Sequence, residues 1–164
     1  MFAALTDSCQ LSKLREDLLK APIQETDLGA IPLFADLPAD ELAQLNGLAH
    51  PRTYRAGEPV FREGEDGIGV FVVTSGAFQL RHRLQSGGSQ VEATQGPGDV
   101  FGLTSMLDDG PRRASASAIT DGACLVLTRM TFRQAVMANP ALAIRVIRAM
   151  AKSLREVSAL LVRA

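Results

Sequence analysis

The stretch that decides the fold runs Tyr54-Arg55-Ala56-Gly57-Glu58-Pro59-Val60-Phe61-Arg62-Glu63-Gly64-Glu65-Asp66-Gly67, then Val70-Phe71-Val72-Val73, and closes at Gly76. Short runs of β-favouring residues alternate with glycines, and each glycine permits a turn that other residues resist. The pattern continues beyond this stretch, since 11 of the 14 glycines fall between Gly57 and Gly110. Strand-type runs occupy Val60–Phe61, Val70–Thr74, Ala77–Arg83, Val91–Thr94, Ala114–Thr120 and Ala123–Thr128. Within Ala77–Arg83, Phe78 and Leu80 alternate with Gln79 and Arg81, which marks one buried face. Six to eight such strands, roughly ten residues apart, predict a small sandwich or barrel rather than a parallel sheet with crossover helices, and a closed β-roll is the economical form.

Helices flank this region. Leu11, Leu14 and Leu18 recur at helical spacing after Asp7 and Ser8, which predicts a helix over about 8–20 that Pro22 ends. A second helix is expected from Pro38, at its first position, to about Leu48, with Leu42 and Leu45 facing inward. A third, Met130–Ala138, breaks at Asn139-Pro140, and a long one follows from Pro140 to Ala164. Along it Ala143, Ile147, Met150, Leu154, Val157 and Leu161 recur with spacings of 4, 3, 4, 3 and 4. Two readings of this seam stand: a helix packed on its own barrel, or the a/d interface of a parallel homodimer. The predicted fold class is α+β, a double-stranded β-helix of jelly-roll type with N-terminal helices and a long C-terminal helix. Residues 1–30 form a helical extension and 31–164 the domain, with its roll at about 50–129 and C-terminal helices at 130–164.

The chain's 164 residues suit one ordinary domain, and 46% hydrophobic with 21% charged residues excludes a disordered or fibrous chain. There is no window of eighteen apolar residues, and the N-terminus turns polar within six residues, so a cytoplasmic protein without a membrane span is expected. The net charge is −1, but residues 141–164 carry Arg145, Arg148, Lys152, Arg155 and Arg163 against Glu156 alone. These arginines surround the seam without interleaved aromatics, as on a solvated coiled-coil flank, so no direct nucleic-acid contact is expected. Cys9 and Cys124 are too few for a disulfide framework or a four-cysteine metal site; both read as reduced thiols, with Cys9 alternatively an exposed redox handle. No nucleophile, base and acid set suggests an enzyme. His50 and His82 stand in unrelated contexts, Asp108-Asp109 reads as turn chemistry, and no catalytic residue or metal is assigned.

One further stretch carries chemistry: Gly96-Pro97-Gly98-Asp99-Val100-Phe101-Gly102, then Gly110-Pro111-Arg112-Arg113-Ala114. Gly98 and Gly102 allow tight turns, residues 103–107 suffice for one helical turn, and the turn's unpaired N–H groups suit an anion. Arg112 or Arg113 would add a guanidinium with two parallel donors for phosphate oxygens. The alternative is a solvated arginine pair beside a Gly-Pro turn.

Together with Ile31-Pro32-Leu33-Phe34 and Leu37, these stretches resemble the cyclic-nucleotide-binding domain, the sensor of the catabolite-activator and fumarate–nitrate regulator superfamily. The resemblance covers about residues 31–164, and the pieces occur in the family's order. It implies a cyclic nucleotide such as cyclic AMP or cyclic GMP as ligand, with Gly102, Leu103, Thr104, Ser105, Arg112, Arg113, Ala114 and Ser158 as binding residues. Counted from Gly102, Arg112 takes the phosphate-binding place, and Ala114, Ala116 and Ala118 take the small inward positions. A frame one residue later would turn Ser115 and Ser117 inward instead. On the preferred frame, Arg112→Ala is expected to leave folding intact and weaken a phosphate ligand.

The cassette departs from the family in two places. Leu103 stands where the family has the glutamate that accepts a ribose hydroxyl, and Arg113 where it has a serine or threonine. The resemblance further implies a homodimer through Ala143, Ile147, Met150, Leu154, Val157 and Leu161, signalling to an effector protein. The family's usual helix-turn-helix partner does not follow within this sequence, which predicts a free-standing sensor or the sensor part of a longer regulator. Two functions remain open: a module sensing a nucleotide-type anion, or a ligand-free dimerisation scaffold that keeps the shape.

Overall fold

A computed structural model describes residues 27–163; the helix expected over 8–20 and Cys9 lie outside them. The described residues hold eight strands: β1 His50–Tyr54, β2 Pro59–Phe61, β3 Gly69–Ser75, β4 Phe78–Arg83, β5 Ser89–Gln95, β6 Val100–Phe101, β7 Ser115–Ala118 and β8 Gly122–Thr128. They pair antiparallel in two sheets, β1-β8-β3-β6 and β2-β7-β4-β5. This is the expected β-roll. Its helices are α1 Ala39–Leu48, α2 Leu103–Leu107, α3 Arg129–Ala138 and α4 Pro140–Arg163, with 3-10 turns at Leu28–Ala30 and Pro32–Phe34.

Two apolar cores explain why β3 and β8 read as continuous hydrophobic runs. Successive strand residues face opposite ways. Val70 and Val72 of β3, with Leu125 and Leu127 of β8, face the helices and pack with Phe34, Met106, Phe132, Leu142 and Val146. Phe71 and Val73, with Cys124 and Val126, face into the roll. There Phe71 stacks on Phe101, ring centroids 5.2 Å apart, while Phe61 and Phe78 pack around the pair. Cys124 is wholly buried, and burial pushes its thiol up to about 12, which makes it an inert core residue.

The helices begin and end for identifiable reasons. Pro38 is the N-cap of α1 rather than its first helical residue: its ψ of 149° is extended, and its carbonyl accepts the Leu42 N–H at 2.9 Å. Thr128 caps α3, accepting the Thr131 N–H. Asn139 separates α3 from α4. Its side chain accepts the Leu142 N–H at 3.3 Å and donates to Glu41 Oε2 at 2.8 Å, so the break also ties α4's start to α1. Arg145 bonds Asp36 through Nε at 2.9 Å, anchoring the first turns of α4 to the 3-10 segment. No helix among the described residues is long and apolar enough to cross a membrane.

Candidate functional site

A cavity of about 380 Å³ lies between the roll and α4, within the usual size range of small-ligand sites. One wall is the α2 turn, Gly102 to Ser105, with Arg112, Arg113 and Ala114. Strands β4 and β5 contribute Leu80, Glu92, Ala93 and Gln95. Helix α4 closes the cavity with Met150, Ser153, Leu154, Glu156 and Val157.

Arg112 organises the cassette. It is only 3% exposed, an unusual burial for an arginine. Nη1 donates to the Gly102 carbonyl at 3.0 Å and to Ser105 Oγ at 2.9 Å, and Nη2 donates to the Gly69 carbonyl at 2.6 Å. The guanidinium carbon sits 4.1 Å from the centre of the Phe61 ring, within cation–π range. Burial, and then the charge of Arg129, depress its pKa to about 10, so it remains protonated at neutral pH. Its Nε is buried without a hydrogen-bond partner among the described residues.

The backbone is shaped to admit this arginine. Gly102 has φ of +84°, and a Cβ there would lie 2.6 Å from Arg112 Nη1, so a glycine is required on both counts. A Cβ on Gly67 would lie 2.6 Å from Met106 Cε, so that glycine lets α2 approach the loop before β3. The Arg112 N–H donates to the Glu65 carbonyl, and its own carbonyl accepts from the Gly64 N–H, both at 2.8 Å. The far end of the cassette is held separately. Asp109, at φ of +57°, takes bonds from Arg133 at 3.1 and 3.2 Å, while Asp108 accepts the Gly110 N–H at 2.9 Å. Asp108-Asp109 is therefore turn chemistry.

Seven of the eight expected ligand residues line this one cavity: Gly102, Leu103, Thr104, Ser105, Arg112, Arg113 and Ala114. Ser158 is exposed and is not among the lining residues; Ser153, Glu156 and Val157 are α4's contribution instead. Burial follows the Arg112 frame. Ala114, Ala116 and Ala118 are buried, whereas Ser115 and Ser117 are only half-buried and Arg113 is exposed at the cavity. Ser105 is 3% exposed, and its hydroxyl is spent on Arg112.

The seam of α4 divides in the structure. Met150 and Val157 are half-buried and line the cavity, and Ala143 is half-buried. Ile147, Leu154 and Leu161 are 60%, 70% and 72% exposed, and with Ile144, Ala151 and Ser158 they make an outward stripe at spacings of 3 and 4. The helix's phase is set by Leu142 and Val146, which are buried against the roll.

Comparison with known proteins settles the family. The model of the cyclic nucleotide-binding domain matches residues 51–139, over half of the chain. The chain belongs to the cyclic nucleotide-binding domain family. Within that family it is similar to the cyclic AMP receptor protein of Thermus thermophilus, 34% identical over 125 residues, covering 76% of this chain and 58% of that protein. It also resembles a CRP-like cAMP-activated global transcriptional regulator of Mycobacterium tuberculosis, 29% identical across 75% of this chain and 55% of that one. The chain thus spans little more than half the length of these relatives. Among solved structures, the catabolite activator protein of Thermus thermophilus superposes with a TM-score of 0.72 at 33% identity, over 79% of this chain and 61% of that one. The N-terminal domain of a transcriptional regulator from Streptomyces coelicolor A3(2) gives 0.63 at 32% identity, covering 79% of this chain and 93% of that one. The cyclic nucleotide-binding domain here therefore keeps the family's β-roll and its flanking helices.

Sequence reasoning missed several lining residues. Glu92 lies on a strand marked only by its β propensity, Gln95 falls one residue beyond the expected Val91–Thr94, and the sequence marks Phe61 as a strand residue with no sign of its place beneath Arg112. Ser153 and Glu156 fall outside the heptad seam, and only the docked phase of α4 turns them toward the roll.

Proposed function

We propose that the cavity binds a cyclic mononucleotide and that the domain, residues 31–164, is a regulatory sensor rather than an enzyme. The observation that carries this reading is Arg112. A protonated guanidinium, 3% exposed, lines a cavity of ligand size and keeps one buried N–H without a partner among the described residues. A buried donor left unpaired costs about 1–3 kcal/mol, which a phosphate oxygen would recover. Arg113, exposed at the same cavity, adds a second positive charge for the anion.

The ligand would touch both halves of the molecule, because the cassette and α4 line the same cavity. A nucleotide held between them binds one placement of α4 better than another, and that difference is what shifts a conformational equilibrium. The exposed stripe of Ile147, Leu154 and Leu161 then carries the shift into a homodimer and on to an effector protein. The competing reading, a ligand-free scaffold, is favoured by Leu103, which offers contact area where the family has a hydroxyl acceptor.

Leu103 also supplies the test. In Leu103→Glu a carboxylate enters the cavity wall, and calorimetry should show cyclic mononucleotide affinity rising by about tenfold, the worth of 1.4 kcal/mol. If the new carboxylate pairs with Arg113, the gain would appear only on adding Arg113→Ser. Failure of parent, single and double variants to bind, with folding confirmed by circular dichroism, would replace the sensor with the scaffold.

A further inference from the structure

Glu92 is a carboxylate that the cassette comparison does not account for. In the pairing of β4 with β5, Leu80 faces Ala93 and Arg81 faces Val91, so Glu92 is the extra residue of a β-bulge. In a regular strand, Glu92 and Ala93 would point to opposite faces of the sheet. Here both line the cavity. The bulge has turned a charged side chain inward, onto a wall that also holds Leu80, Ala93, Gln95, Val100 and Leu103.

The carboxylate is also held in place. Its Oε2 lies 2.9 Å from His82 Nε2, and the two side chains are 24% and 32% exposed. A partly buried acceptor on an apolar wall costs stability unless a donor meets it. His82 meets one carboxylate oxygen, and an N–H of a ligand in the cavity would meet the other.

We propose that Glu92 reads the base of the bound nucleotide and that the base is guanine. This rests on the cavity being a cyclic-nucleotide site. The phosphate is drawn to Arg112 and Arg113 and repelled by a carboxylate, so Glu92 faces the uncharged part of the ligand. Guanine presents two adjacent N–H donors, N1–H and the 2-amino group, and a carboxylate accepts both. Adenine offers a single donor group, its 6-amino group, beside a ring-nitrogen acceptor, so a carboxylate gains one hydrogen bond from it rather than two. Gln95, on the same strand and in the same cavity, brings an amide whose NH2 suits guanine O6. A site built to accept particular N–H donors discriminates against a ligand that lacks them.

The test is calorimetric titration of the full chain with cyclic GMP and cyclic AMP, for the parent and for Glu92→Gln. The parent should bind cyclic GMP at least about tenfold more tightly than cyclic AMP, and Glu92→Gln should remove that preference by weakening cyclic GMP alone. A parent that binds cyclic AMP equally well or better overturns the guanine assignment while the cyclic-nucleotide site stands. Equal weakening of both ligands by Glu92→Gln overturns it too, because the carboxylate would then contact the shared sugar. If neither nucleotide binds the parent, the reading of the cavity itself fails, and this inference fails with it.

Discussion

Arg112→Ala should lower the stability of the domain by about 2–4 kcal/mol, as expected when one buried and one partly buried backbone carbonyl lose a charged donor. The carbonyls are those of Gly69 and Gly102; Ser105 and Phe61 lose their contacts as well. For a domain of this size the loss corresponds to a fall in melting temperature of roughly 5–15 °C. Here the structure corrects the expectation from sequence. An arginine assigned only to a ligand would leave folding intact on removal, but this one also joins α2, the start of β3 and the aromatic core. Arg113→Ala separates the two roles. Arg113 is exposed, so its loss should change stability by less than about 0.5 kcal/mol and reduce only the affinity for an anion. A thermal unfolding scan in which Arg112→Ala melts with the parent would remove the guanidinium from this structural role.

Ile147→Glu and Leu161→Glu should each convert a dimer into monomers. Ile147 and Leu161 are 60% and 72% exposed in the single chain and neither lines the cavity, so folding and ligand binding should survive. In a paired seam each change places two unpaired carboxylates against apolar partners, a cost of several kcal/mol and more than about a hundredfold in dissociation constant. Met150 and Leu154 are poorer sites for this experiment because both also line the cavity. Sedimentation velocity gives the answer directly. A parent that sediments as a monomer, or glutamate variants that remain dimeric, would contradict the interface.

Much of the fold is legible in the sequence because its punctuation is local. Glycine-bounded β runs mark the roll, and Asn139-Pro140 marks the start of the last helix. The cassette frame is legible too, since alternate alanines at 114, 116 and 118 meet the small-residue face that the roll provides. Strand β1, His50-Pro51-Arg52-Thr53-Tyr54, shows no alternation because it is an exposed edge strand, where a proline is tolerated. Strand β6 is two residues long and carries no period at all.

The site is less legible because its chemistry depends on distant partners. The burial of Arg112 needs a carbonyl 43 residues away, at Gly69. Glu92 reaches the cavity through a bulge, which moves a residue from one face of a strand to the other and has no signature in the residue types. On α4, a strict seven-residue repeat and a straight helix drift apart by about 20° per heptad, so the seam alone does not fix which residues face the roll. Docking of Leu142 and Val146 fixes that phase, turning Ser153 and Glu156 to the cavity and Ser158 outward.

The central claim is that the cavity between roll and helix takes a cyclic mononucleotide. Thermal unfolding of the parent chain, alone and with cyclic GMP, cyclic AMP or inorganic phosphate, tests it most directly. A ligand at a hundred times its dissociation constant adds about 2.7 kcal/mol. A saturable rise of roughly 5–10 °C is therefore expected with a cyclic nucleotide and a much smaller one with phosphate. An unchanged melting temperature with both nucleotides up to millimolar concentration would contradict it.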